Sequence, residues 1–488
     1  MSESSNLRQK TASGLFWSFS DLIANQGIQF LIQVVLARLL LVEDFGLIGM
    51  ITIFIAISTT FIDSGFSQAL IREQEAKQED FSTVFYFNLA MACGLYIILF
   101  FSAPFISDFF KEPRLIAILR VLSLVLIINS FGIIQRVMLV RRIDFKTQTK
   151  ISIIASISSG AVAIVLAYFG FGVWSLVIRI LTMQFLVAFL LTISNKWKPS
   201  SVFSVHSFKR LFRFGSRLLL SGLLNTIYMN LYYVIIGKFF SATDLGYYTN
   251  AKKLEETTSA AVTGALQRVS YPVLSSIQKE ESRLRAGFAK IIRTSTYLNF
   301  PIMVFLAAIA SSLIGFIFGE KWLPSIPYFQ ILCFAGMLYP LHAINLNTLK
   351  VKGRSDLFLK LEIIKKVAYT LTIVIVLLLK LGIIGLIWGM VANSYIAYYI
   401  NALYSKKLIS YSIKDQIKDI LPSFLLSFAM GAIVYFTGIL LPGGDLIKLL
   451  VQTLVGFTAY IGLSKLFKIK ELGIIKDLAL SFVKKARR

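Results

Sequence analysis

The chain has 488 residues, 56% of them apolar, with a mean hydropathy of +0.74 and only 15% charged residues, against about 25% charged in soluble domains. Apolar runs of span length recur throughout and period-two strands are missing, so the composition excludes a soluble domain and a β-barrel and points to an all-α polytopic membrane protein. The net charge of +25 would suggest nucleic acid in a soluble protein, so the location of the charge has to decide.

Residues 1–13 read as a polar tail, with Arg8 and Lys10 ahead of the first span. Span 1, Ser13 to Leu36, is too long and too polar for the core of a cleavable signal. Its Asp21, Asn25, Gln29 and Gln33 are four apart and share one helical face, either as hydrogen-bonding glue between helices or as cavity lining. Span 2 runs from Phe45 to Gly65 and carries Asp63. Span 3 is Phe81 to Ile106, and span 4 is Leu115 to Gln135 with Arg120 inside. A basic loop, Arg136 to Lys150, follows. Spans 5 and 6, Ile151 to Phe169 and Val173 to Ser194, are joined by Gly170-Phe171-Gly172, and span 6 carries Arg179.

The linker Asn195 to Arg213 is the longest polar break, and part of it could lie as an interfacial helix. Span 7 is Phe214 to Phe240, with Arg217 near one end. Span 8, Tyr248 to Gln278, has the length of a membrane crossing yet holds Lys252, Lys253, Glu255, Glu256 and Arg268. A charge at the bilayer centre costs about 2.5–3.5 kcal/mol on insertion scales, so this helix must face protein or water. Span 9 is Ile291 to Phe318, with Arg293. Span 10 is Ile326 to Leu349, with Pro340 and His342. Spans 11 to 14 are Leu361–Leu379, Ile383–Tyr404, Ile420–Leu440 and Leu446–Leu466, and a basic tail ends the chain. The expectation is about 14 spans with both termini in the cytoplasm.

The loops and tails assigned to the cytoplasm hold 36 Lys/Arg and 14 Asp/Glu, and the opposite loops hold 7 of each. This is the positive-inside bias. It explains most of the basicity without a nucleic-acid partner, and no basic stretch is interleaved with aromatics as single-strand binding would need. Cys93 and Cys333 both fall inside spans and read as small packed hydrophobes.

A weak internal repeat organises the spans. At an offset of 200, Leu36-Ala37-Arg38-Leu39-Leu40 faces Ile236-Gly237-Lys238-Phe239-Phe240, and Glu43-Asp44-Phe45-Gly46-Leu47 faces Thr243-Asp244-Leu245-Gly246-Tyr247. Asn25 faces Asn225. With the offset grown to 212, Arg142-Ile143-Asp144-Phe145 faces Arg354-Ser355-Asp356-Leu357, and Gly170 faces Gly382. Each half then has six spans, an even number, which gives a parallel repeat. The expected organisation is a six-helix lobe over 10–195, a second over 205–405, two additional helices over 415–468 and a basic cytoplasmic tail over 469–488.

Subtracting the loops leaves Arg120, Arg179, Arg217, Lys252, Lys253, Arg268 and Arg293 against Asp21, Asp63, Glu255 and Glu256. With Arg38 and Lys238 at span ends, a cavity between the lobes would be net positive and suit an anionic passenger such as a diphosphate. Arg38, Arg120, Arg179, Arg217, Lys252, Lys253 and Arg268 are the candidate substrate contacts. Asp21, Asp63, Glu255 and Glu256 either balance the cations or hold a coupling Na⁺ or H⁺. Lys252 and Glu256 are four apart and can pair. Two histidines, no metal-ligand cluster and no sizeable aqueous domain argue against an enzyme.

The stretches Ala37-Arg38-Leu39-Leu40-Leu41-Val42-Glu43-Asp44-Phe45-Gly46, Asp63-Ser64-Gly65-Phe66-Ser67-Gln68-Ala69-Leu70, Arg141-Arg142-Ile143-Asp144-Phe145 and Tyr168-Phe169-Gly170-Phe171-Gly172-Val173-Trp174-Ser175 carry a family resemblance. In their order and spacing the chain resembles the polysaccharide-transporter branch of the multidrug/oligosaccharidyl-lipid/polysaccharide (MOP) exporter superfamily, and within it the Wzx flippases of the WzxC-like group. The resemblance covers about residues 10–410. It implies two six-helix lobes working by alternating access in the bacterial cytoplasmic membrane. It also implies flipping of undecaprenyl-diphosphate-linked oligosaccharide for surface polysaccharide synthesis, with a polysaccharide polymerase and chain-length machinery among the partners to be tested. Of the candidate substrate contacts, only Arg38 lies within a matched motif. The alternative on the same fold is an ion-coupled multidrug exporter, which would need an acid-rich cavity. A membrane polymerase or glycosyltransferase would need a large catalytic loop, and a structural scaffold would not keep so many intramembrane charges.

Overall fold

The computed structural model describes residue 17 and residues 24–477, with the side chains of residues 260, 261, 265, 268, 269, 271, 355 and 359 excepted. All regular structure among the described residues is helical. By packing, the chain divides into residues 1–249 and 250–488, whereas the second sequence repeat begins near 205.

In the first unit, α1 (24–39) is followed by α2 (Val42–Asp63), α3 (Phe66–Arg72), α4 (Gln78–Phe110), α5 (Leu115–Leu122), α6 (Leu124–Arg141), α7 (Phe145–Tyr168), α8 (Val173–Asn195) and α9 (Val205–Phe239). α10 (Ala242–Ser276) begins here and runs on into the second unit. α8 packs on α6 and α7, α4 on α2 and α6, and α9 on α2 and α4. The elements start and stop where local chemistry dictates. Asp44 accepts from the Leu41 amide at 3.0 Å to open α2, and Asp144 accepts from the Thr147 amide at 3.1 Å to open α7. Arg141 caps the far end of α3, donating to the carbonyls of Leu70, Glu73 and Gln74.

The linker is a docked strap rather than a loose joint. Residues 196–204 are non-helical. The Trp197 indole donates to Gln78 at 2.6 Å, the Ser200 amide to Ser82 Oγ at 2.9 Å and the Ser204 amide to Thr83 Oγ1 at 2.9 Å. Residues 205–213 are helical, but as the start of α9 and not as a separate interfacial helix.

Two crossings bear on the repeat. A Cβ on Gly46 would fall on the carbonyl oxygen of Ala242, and a Cβ on Gly246 would fall on that of Val42. Positions 42 and 46 are the repeat partners of 242 and 246, so α2 and the first turns of α10 meet in a self-complementary way. Only glycine allows backbones this close. Gly170 (φ +81°) and Gly382 (φ +70°), also repeat partners, both take the left-handed conformation their turns require.

In the second unit, the rest of α10 is followed by α11 (Glu281–Ala308), α12 (Ala310–Phe318), a 3₁₀ turn (Glu320–Ser325), α13 (Ile326–Gly336), α14 (Tyr339–Val351), α15 (Ser355–Leu378), α16 (Gly382–Leu403), α17 (Ser405–Ile409), α18 (Ile413–Leu440) and α19 (Asp445–Leu466). α18 packs along α11 and against α19, so the two additional helices lean on the ninth span. Span 10 is broken at Met337–Leu338, just before Pro340. The buried Asn299 of α11 donates to the freed carbonyls of Gly336 at 3.1 Å and Met337 at 2.9 Å. Irregular backbone at membrane depth survives only when its polar groups are satisfied in this way.

Eleven helices among the described residues are long and apolar enough to cross a membrane. Of the other three expected spans, the first lies partly outside the described residues, α10 is too polar, and α15 keeps Glu362, Lys365 and Lys366 within its length.

Candidate functional site

The candidate site is a set of intramembrane charges, and the structure sorts them by partner. Arg179 projects from α8 about 9 Å in from the helix start. It is half-buried, and it has no hydrogen-bond or ion-pair partner among the described residues. Arg217 on α9 is exposed and is likewise without a partner among the described residues. Arg120 is different. Its Nε donates to the Phe100 carbonyl at 3.2 Å and its guanidinium stacks 4.4 Å from the Phe100 ring centroid, an arrangement that neutral helices use to shelter a cation. Arg38 is exposed at the end of α1. Asp63 closes α2 and accepts from the Ser67 amide at 3.2 Å and from the Ser67 hydroxyl, which fixes the start of α3. Asp21 lies outside the described residues.

One cation was assigned by sequence to a loop. The apolar run of span 4 ends at Gln135, but α6 continues to Arg141, so Arg136 lies inside the helix. The apolar run gave no signal for this, because the last two turns of α6 are held by Arg141 bonding to the end of α3.

In the second unit, span 8 resolves into a buried ionic knot. Lys252 is 6% exposed and Glu255 is fully buried. The Lys252 ammonium donates to Glu255 at 2.9 Å and to the Tyr339 hydroxyl at 3.0 Å, and it lies 3.5 Å from Glu256. Ser259 donates to the other Glu255 oxygen. The expected Lys252–Glu256 pair exists, but the closer partner is Glu255, one residue nearer. Glu255 also abuts Gly336 at the break in span 10, where a Cβ would strike its carboxylate. His342, one turn beyond, shares a hydrogen bond with Ser394 at 3.0 Å. Lys253 points the other way, is exposed and has no side-chain partner among the described residues. The side chain of Arg268 lies outside the described residues. Arg293 is accounted for by Asp419 at 3.6 Å and Glu471 at 3.4 Å.

Lys252 is therefore committed to carboxylates, whereas Arg179 and Arg217 in the first unit and Lys253 in the second have no side-chain partner among the described residues. Ionisable residues within membrane-spanning helices are rare and mark the paths that solutes take through such bundles. The fold agrees. It is similar to that of lipid II flippase MurJ in an inward closed conformation, with TM-score 0.75 and 18% identity over 93% of this chain and 98% of that one. It also matches an inward-facing multidrug resistance MATE transporter of the MOP superfamily, with TM-score 0.63 and 17% identity over 80% of this chain and 98% of that one.

The chain belongs to the polysaccharide biosynthesis protein family, whose sequence pattern matches residues 35–327. Among its relatives, the teichuronic acid biosynthesis protein TuaB of Bacillus subtilis is 26% identical over 77% of this chain and 78% of its own. The lipopolysaccharide biosynthesis protein WzxC of Escherichia coli is 25% identical over 90% of this chain and 89% of its own. The resemblance read from the motifs and the all-α polytopic class both hold, and the chain is a multi-pass member of the polysaccharide biosynthesis protein family whose fold is similar to those of MurJ and a MATE transporter.

Proposed function

We propose that this protein flips undecaprenyl-diphosphate-linked oligosaccharide across the bacterial cytoplasmic membrane for surface polysaccharide synthesis, by alternating access. The observation that carries the reading is Arg179, a half-buried guanidinium in an apolar helix with no partner among the described residues. Left unpaired it is costly. A diphosphate would satisfy it through the planar fork of the guanidinium. Arg217 and Lys253 extend the same preference for anions, and Arg136 adds a fourth cation. Arg38 and Arg268 complete the set from the sequence. The family membership and the MurJ-like fold support a lipid-linked passenger.

In this reading the chain crosses the membrane about 14 times with both termini in the cytoplasm, as the positive-inside bias supports. Its partners are the lipid-linked oligosaccharide, the surrounding lipid, and polysaccharide polymerase and chain-length machinery. Glu255, Glu256, Asp63 and Asp21 balance the cations or couple Na⁺ or H⁺. Of these, Glu255 is the best placed to sense the state of the broken helix, because its carboxylate touches Gly336.

The test is Arg179→Gln, expressed at the wild-type level in a strain lacking the native gene. Loss of one charge-assisted contact of about 2 kcal/mol, roughly thirtyfold in affinity, predicts a strong drop in surface polysaccharide. Normal export at normal protein level removes Arg179 from the mechanism.

A further inference from the structure

The face of α9 turned away from α2 has an unusual composition. α9 packs on α2 through Gly215, Gly222 and Thr226, with Gly215 against Ser64 and Gly65 and the Thr226 hydroxyl 3.1 Å from that of Thr60. The open side divides in two. Leu220, Leu224 and Ile227 are exposed and fall on one arc, which suits lipid. Arg217, Ser221, Asn225 and Tyr228 fall on a neighbouring arc of about 80°. Arg217, Ser221 and Asn225 are exposed and Tyr228 is half-buried.

Asn225 lies near the middle of the expected span, where a primary amide cannot face acyl chains without losing several hydrogen bonds. Its one hydrogen-bond partner among the described residues is the Met229 thioether, 3.4 Å from Nδ2, a weak acceptor. The amide is thus almost fully available to whatever fills the space beside it. The face carries a cation and no acid, which disfavours a cationic drug. Hydroxyl, amide and phenol groups in a row, with a guanidinium at one end, match a hydroxylated, anionic solute.

We infer that the Ser221–Asn225–Tyr228 face of α9 holds the sugar hydroxyls of the passenger while Arg217 holds a phosphate or sugar acid. This rests on the flippase reading and adds to it a saccharide-contacting surface on one named helix. An amide side chain presents a donor and an acceptor together, the pair that vicinal sugar hydroxyls require.

The test uses the full-length protein in lipid nanodiscs and two probes, undecaprenyl diphosphate and undecaprenyl-diphospho-N-acetylglucosamine. The wild type should bind the sugar-bearing lipid more tightly. Asn225→Leu should remove that preference, a loss of about tenfold for two hydrogen bonds, while binding of undecaprenyl diphosphate is unchanged. Asn225→Gln should retain most of the preference, and Ser221→Ala should lose part of it. Retention of the full preference in Asn225→Leu overturns the inference, as does an equal loss for both probes. If the wild type binds both probes equally, the inference falls and the flippase reading stands. If the wild type binds neither, both fall.

Discussion

Removing Lys252 should expose how the polar eighth span is tolerated. Glu255 is fully buried, and its compensating groups are the Lys252 ammonium at 2.9 Å and the Ser259 hydroxyl. Lys252→Met leaves that carboxylate with a single neutral donor. Breaking a buried pair from one side costs about 3–5 kcal/mol. Glu255→Gln should cost less, because Lys252 keeps Glu256 at 3.5 Å and Tyr339 at 3.0 Å, and Glu256 is 44% exposed and already solvated. The double substitution Lys252→Met/Glu255→Gln removes both charges and should return to within about 1 kcal/mol of wild type. If the second unit melts as one block, 4 kcal/mol corresponds to a fall of roughly 10 °C in apparent Tm for Lys252→Met. Melting followed by fluorescence-detected size exclusion of the detergent-solubilised protein reads this directly. A Lys252→Met variant that melts with the wild type, or a double variant no more stable than the single one, would refute the buried pair.

Two further outcomes follow from packing. Gly46→Val should give little folded monomer, since its Cβ would coincide with the Ala242 carbonyl, whereas Gly222→Ala, whose Cβ would meet Thr60 Cγ2 at an ordinary 3.4 Å, should express normally; monomer yield by size exclusion separates them. Arg120→Met should cost about 1 kcal/mol through its lost Phe100 contacts and leave surface polysaccharide unchanged, which a paired melt and export assay will check.

The existence of the helices was legible from the apolar runs, but their boundaries were not, since α7 starts at Phe145 rather than Ile151 and α9 at Val205 rather than Phe214. Asp44, Asp144 and the Gly170 turn each sit where a helix must start or stop, and the structure uses them so. The repeat was legible in the turn after span 1, and the Gly46 and Gly246 crossing gives its spacing a physical reason. What periodicity could not give was partnership. Lys252 could pair with Glu255 or Glu256 by spacing alone. The choice was made by Tyr339 and Ser259, of which Tyr339 is distant in sequence. Arg120 and Arg179 looked alike as lone cations in spans, yet one is sheltered by Phe100 and the other has no hydrogen-bond or ion-pair partner among the described residues. Arg136 escaped because an apolar run can end before its helix does, here held to Arg141 by contacts with the end of α3. Sequence reasoning gave most weight to Arg268. The Arg268 side chain lies outside the described residues, and among the described cations the half-buried one without a partner is Arg179.

The most direct test of the central claim is transbilayer movement in proteoliposomes of a fluorescent undecaprenyl-diphosphate-linked oligosaccharide. Vesicles carrying the wild-type protein should move the lipid well above the rate of empty vesicles, and Arg179→Gln vesicles should fall most of the way back to it. Equal rates in protein-bearing and empty vesicles, or undiminished movement in Arg179→Gln, would contradict the account.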